Sequence, residues 1–391
     1  MKRGIWFRMA QVYLNNAATS WPKAPGVAEA VAGAVTELPG AANRGGLEDF
    51  DVFAAVRQQL ARVMGISDYN RIALGSNATW GLNAAIFGLD LKPGDRVLTT
   101  TAEHNSVLRP LFALSQSLGV QVEYLPTDAT GRVSPQAWEV ALERLRPRLC
   151  VVTHASNVSG AANDAAALTA LSHARGAKLL LDMSQTLGWL DCSLEAWGVD
   201  MAAFTGHKYL LGPQGTGGLY LRPGLELSPH LVGGTGIHSD LDTMPAQMPG
   251  HLEAGTNNEP GFHGLLAALR WAADNPVAED REATLARLER LESGLAALGA
   301  AVVSPGRPCT PVLSFTLGSF APDLIGATLR DSYDILVRTG LHCAPKIFSS
   351  LGINPKSGSV RVSLSRFNSD DDITALLDAL AEIVAAGPEW L

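Results

Sequence analysis

The sequence predicts an α/β protein: a large domain on a mainly parallel sheet, then a smaller α+β domain toward the carboxyl end. Two observations carry that reading. Up to about Gly261, apolar strand-like runs alternate with polar loops and helix-period segments, the rhythm of successive strand–helix units. Beyond it come a long charged amphipathic segment, two separated strand-like runs and a closing helix. The expected division is 17–270 for the large domain and 271–391, with 1–16, for the small one.

The elements follow in order. FAAVRQQLARVMG repeats its apolar residues at helical spacing, as does AALTALSHARG. Between and beyond them RVLTTT, RLCVVTHAS, AKLLLDMS, DMAAFTG and GTGGLYLR are short, apolar and bounded by turn residues, which suits buried strands. REATLARLERLESGLAALG is the long helix of the second part, PVLSFTL and SVRVSLS are its strands, and DDDITALLDALAEIVAAG closes the chain. The NRGG segment at Arg44 and GGTG from Gly233 read as turns.

Composition narrows the function classes. At 391 residues, 47% of them hydrophobic, the chain can bury a large core in more than one domain. A formal charge of -8 argues against nucleic-acid binding, which requires a basic face. The basic start, MKRGIWFRMAQ, is not followed by the apolar stretch of a signal peptide, so the expected location is cytoplasmic. The four cysteines, Cys150, Cys192, Cys309 and Cys343, lie far apart without CxxC pairing, which supports neither a disulfide framework nor a zinc site.

In open α/β sheets ligands gather at the carboxyl ends of the strands. The residues there are polar: His104 after RVLTTT, Asn157 after CVVTHAS, Asp182 and Gln185 in DMSQ, and Lys208 in TGHK. Thr79, in GSNATWG, opens a helix whose free first-turn amides can hold an anion. Taken singly, a cap, a turn or a hydrogen-bonded core histidine explains most of these. Lys208 and Asp182 resist that explanation, because each places a charge beside a long apolar run. One cofactor accounts for the set. Pyridoxal phosphate needs a lysine for covalent attachment, a carboxylate facing its pyridine nitrogen, donors for its phenolic oxygen and an anion site. The glycines from Gly212 to Gly218 do not have GxGxxG spacing and precede a strand, which argues against dinucleotide binding.

YLNNAAT from Tyr13, AEHNSVLRP, HASNVSG, DMSQ, TGHKYLLGPQGTGGLY and RVSLSRFN from Arg361 follow one another in an order that resembles a known family. That family is the class V aminotransferase superfamily of fold-type I pyridoxal phosphate enzymes, and the nearest group within it is the cysteine desulfurases and selenocysteine lyases. The resemblance implies that Lys208 forms the Schiff base, Asp182 faces the pyridine nitrogen, Gln185 contacts the phenolic oxygen and His104 stacks on the ring. It places Ala78, Thr79, Thr205 and His207 at the phosphate. Thr256, in EAGT, matches a position that reaches the phosphate from a neighbouring subunit, which implies a homodimer. Asn157 and Arg361 match positions that orient the substrate carboxylate. In RTGLHCAP, Cys343 matches the nucleophile that takes the substrate's sulfur.

Read from the residues alone, a thiol flanked by Arg338 and His342 is a candidate nucleophile, since a nearby cation favours the thiolate. Arg338 is also counted among the substrate-binding candidates. The activity that the resemblance implies is cysteine desulfuration, giving alanine and a persulfide on Cys343. A protein or thiol must accept the sulfur. Selenocysteine lyase activity, or a transamination or epimerisation that leaves Cys343 idle, is the alternative. Cys150, inside a strand run, is expected to be core.

Overall fold

One sheet of seven strands carries the first part of the chain. The order across it is Ile72–Gly75, Gly217–Leu221, Met201–Thr205, Lys178–Asp182, Leu149–Thr153, Arg96–Thr100 and Gln121–Leu125. Every neighbouring pair is parallel except those made by Gly217–Leu221, which is antiparallel to both strands beside it. This computed structural model describes residues 11–37, 50–236, 240–303 and 309–387, so Arg44 lies outside the described residues.

The five predicted strands of this part are present, and both sheet faces are covered. Period-two alternation sends Leu98, Cys150, Val152, Leu179 and Leu181 to one face, against Leu60, Met64, Trp138 and Phe262. Val97, Leu149, Val151, Leu180 and Met201 go to the other, against Leu82, Ile86, Val107 and Leu111. Cys150 is fully buried, as expected, and burial pushes its thiol up to about 12. The glycine run of the antiparallel strand has a packing cause. A Cβ on Gly217 would lie 2.6 Å from the Cα of Asn77, and one on Gly218 would lie 2.3 Å from the Ala73 carbonyl. The absent side chain of Gly217 lets the start of the helix Ala78–Gly88 settle at the strand ends, and that of Gly218 makes room for the neighbouring strand and Phe204.

The second part is a four-stranded antiparallel sheet in the order Arg338–Gly340, Ser359–Ser363, Val312–Leu317, Ala300–Val303. The helices Ala278–Ala297 and Asp370–Ala386 cover it through Leu288, Leu291, Leu376 and Leu380. Ser369 and Asp372 form a reciprocal capping box at the start of the last helix. The chain's beginning belongs with this part: Val12–Tyr13 pairs in parallel with Ile335–Leu336, and Asn15 bridges to Ser363. From there it crosses to the large sheet, where the Ser20 amide bonds the His207 carbonyl at 2.9 Å. Two-residue strands like these carry no periodicity, so pattern reading does not find them. Among the described residues no helix is long and apolar enough to cross a membrane.

One buried ion pair ties the connection before Asn258 to the large domain. Arg57 Nη2 lies 2.6 Å from Glu253, whose Oε1 also accepts from the Leu74 amide at 2.6 Å. Their side chains are 8% and 10% exposed, so removing one partner strands the other. Glu253→Ala is expected to lower stability by about 3 kcal/mol, read as a shift of the urea unfolding midpoint.

Candidate active site

Parallel register sets the site. Thr153 pairs with Asp182 and Asp182 with Ala203, so the loops leaving three adjacent strands emerge at one edge. A cavity of about 260 Å³ opens there. Its walls include Ala78, Thr79, His104, Asn157, Asp182, Gln185, Thr205, His207 and Lys208 from the large domain. Arg338 and Arg361 enter from the small sheet. Two of the predicted residues do not line it. Cys343 faces an adjoining cavity of about 460 Å³ that shares Thr79, His104 and Ser106 with the first. Thr256 is exposed, on the connection that carries Glu253.

Lys208 follows the strand Met201–Thr205 in a turn where its carbonyl accepts from the Leu211 amide at 2.9 Å, and the Gly206 amide bonds across to the Thr216 carbonyl at 2.8 Å. Burial lowers its amine from the usual 10.5 to about 8; Asp182 opposes that shift, and Arg361 and Arg338 reinforce it. The peptide just before it is clamped. The His207 carbonyl accepts from the Ser20 amide, from Lys23 Nζ at 3.0 Å and from Thr19 Oγ1 at 3.1 Å. Sequence reasoning passed over Lys23 because its partner is a backbone carbonyl remote in the chain.

His104 caps the helix Asn105–Leu118: its Nδ1 accepts from the Ser106 amide at 3.0 Å, which leaves the proton on Nε2. Burial, then Lys208, lowers the imidazole to about 4, so the ring is neutral. Ser106 also bonds Thr79 Oγ1 at 2.8 Å, joining the two helix starts. Asp182 accepts from the backbone and hydroxyl of Ser184 through one oxygen. Behind it Glu103, also absent from the sequence-based set, accepts from Thr100 Oγ1 and the Thr153 amide. Burial pushes its carboxyl up to about 8, so the protonated form predominates at neutral pH. No sequence feature separates Glu103 from an ordinary exposed glutamate; its burial is a tertiary fact.

The residues fit a bound pyridoxal phosphate. Gln185 donates Nε2 to the Ala17 carbonyl, which leaves its buried Oε1 without a partner, and the buried His207 Nδ1 is likewise unpartnered. Buried polar atoms of this kind call for a ligand. Asn77 caps the helix Ala78–Gly88 through the Trp80 amide. The other first-turn amides, on Ala78 and Thr79, are the natural seat for a phosphate. Asp182 supplies the carboxylate a pyridinium needs, and Lys208 the amine.

The Cys343 sulfur accepts a 3.0 Å bond from Arg338 Nη2, which places a guanidinium between the thiol and the inner cavity. Arg361 is fully buried, donates to the Asn157 carbonyl and to Asn15 Oδ1, and is lowered by burial to about 9.

In cofactor-free protein, acylation of Lys208 followed by peptide mass spectrometry should show a midpoint near pH 8. Asp182→Asn should move that midpoint lower, because the aspartate charge favours the ammonium form. A midpoint at an ordinary lysine value would contradict the burial described above.

Known proteins share this architecture. The family model described as aminotransferase class-V matches residues 12–376. The cysteine desulfurase CsdA of Escherichia coli is 32% identical over 343 residues, covering 84% of this chain and 82% of that protein. A probable cysteine desulfurase of Methanothermobacter thermautotrophicus is 30% identical, covering 85% and 83%. Among solved structures, the apo cysteine desulfurase of Thermococcus onnurineus superposes with a TM-score of 0.86 at 27% identity, covering 96% of this chain and 95% of that one. With a family match across nearly the whole described fold, and with relatives at this identity and coverage, the chain belongs to the class-V aminotransferase family.

Proposed function

We propose that this chain is a pyridoxal phosphate-dependent cysteine desulfurase that moves the sulfur of L-cysteine onto Cys343 and releases L-alanine. The observation that carries the reading is a thiol hydrogen-bonded to Arg338, the same arginine that lines the cavity holding Lys208 and Asp182. Relatives named cysteine desulfurases support it.

Bound there, the cofactor supplies an electron-withdrawing ring that stabilises negative charge at the substrate's Cα. Ala78, Thr79, Thr205 and His207 would hold its phosphate, Asp182 its ring nitrogen, Gln185 its phenolic oxygen and His104 its ring face. Lys208 would hold it covalently and, when its amine is free, would take the Cα proton, a task suited to an amine near 8. Arg361 orients the substrate carboxylate, a planar fork meeting a planar anion. The Cys343 sulfur then attacks the substrate sulfur. An S–S bond forms and the Cβ–S bond breaks. The electron pair stays with Cβ, which takes a proton, and Cα regains the proton that Lys208 removed, which completes alanine, while Cys343 keeps a persulfide. A thiol or a protein acceptor removes that sulfur.

Thr256, exposed in the single chain, fits a contact with the phosphate of a second subunit, and we assign the active form as a homodimer on that ground. Four free cysteines suit a reducing compartment, the cytoplasm.

The test is release of alanine and sulfide from L-cysteine under reducing conditions. Cys343→Ala should lower it at least about 100-fold while the cofactor absorbance persists, and Lys208→Ala should remove both the activity and the lysine-linked absorbance. A Cys343→Ala protein as fast as wild type would sink the persulfide route and direct attention to amino-group transfer.

A further inference from the structure

The turn that carries Cys343 is conformationally unfavourable. His342 and Cys343 are consecutive non-glycine residues at φ 50° and 60°. Side chains rarely occupy that left-handed region, and a pair in succession persists only where neighbours hold it.

The restraints can be named. The Cys343 carbonyl accepts from the Asn105 amide at 2.7 Å, and the Ala344 amide bonds the Leu341 carbonyl at 2.9 Å. The His342 ring bonds Ser359 Oγ through Nε2 at 2.9 Å. The His342 carbonyl is taken by Asn157 Nδ2 at 2.6 Å. Asn157 is itself buried, and its own carbonyl is held by Arg361 Nη1 at 3.1 Å. Its amide is therefore a side-chain brace that reaches the turn from the wall of the inner cavity.

We propose that Asn157 is a positioning residue for Cys343: its side-chain amide holds the His342–Cys343 turn in the shape that sets the sulfur on Arg338. Without that donor the His342 carbonyl loses its partner in a buried setting, an outcome that favours rearrangement of the turn. Rearrangement carries the sulfur away from the guanidinium 3.0 Å from it. The sulfur then loses the bond that fixes its direction, so it meets an electrophile less often in a productive pose. Access is not the limiting factor, because Cys343 already lines the open outer cavity. The mechanistic meaning of this role rests on Cys343 being the nucleophile. The geometry it describes does not.

Two variants separate this role from carboxylate binding. Asn157→Ala removes the amide, and Asn157→Asp keeps its size but replaces the donor with an acceptor. The first readout is alkylation of Cys343 by iodoacetamide, resolved from the other cysteines by peptide mass spectrometry. The second is the affinity of the holoenzyme for L-alanine, which has the substrate's carboxylate but no sulfur, followed by cofactor absorbance. Alkylation is expected to slow about tenfold in both variants, whatever happens to alanine affinity. Wild-type alkylation in Asn157→Asp overturns the proposal, whether or not alanine affinity changes. If affinity alone weakens, Asn157 belongs to the carboxylate end of the site. Alkylation reports on the thiol whether or not the enzyme desulfurates cysteine, so failure here is distinguishable from failure of the proposed function.

Discussion

Three cationic side chains and one carboxylate share the inner cavity, and the rest of the molecule is arranged around that imbalance. Lys208, Arg338 and Arg361 face Asp182, while Glu103 behind them is mostly protonated at neutral pH. Burial makes the cations costly, lowering Lys208 to about 8 and Arg361 to about 9. Such a site favours ligands that bring negative charge, as a phosphate and an amino-acid carboxylate do, and it keeps the lysine close to the neutral form that bond-making requires.

Holding these groups together needs both sheets and the chain's first described residues. The large sheet positions Asp182 and Lys208 by register, and the small sheet delivers Arg338 and Arg361 from two paired strands. The segment from Val12 to Lys23 joins them. It pairs with Ile335–Leu336, supplies Asn15 to Arg361, and ends in the donors on the His207 carbonyl. A displacement of either sheet would therefore be felt at the peptide preceding Lys208.

The Cys343 thiol sits one layer out. Cys343 faces the outer cavity, its carbonyl is bonded to the helix that His104 caps, and its sulfur is bonded to Arg338. The left-handed pair His342–Cys343 is a strained feature, and its restraints come from Asn105, Asn157 and Ser359.

Much of this could be read in advance. Apolar runs of buried strands predict the parallel sheet, and Asp182 and Lys208 stand out because a charge after such a run is expensive. Cys343 stands out mainly through the resemblance of RTGLHCAP to a family motif, with its neighbours Arg338 and His342 as weaker support. What sequence alone determined is local: the strands, the helix starts, and which polar residues lie at strand ends. Only the tertiary structure decided that Glu103 is buried, that Lys23 clamps a carbonyl far away in the chain, that Asn157 braces His342, and that Cys343 lies in an outer cavity while Arg338 lies in the inner one. Burial and long-range hydrogen bonds depend on how separate elements pack. No short stretch of sequence contains that information.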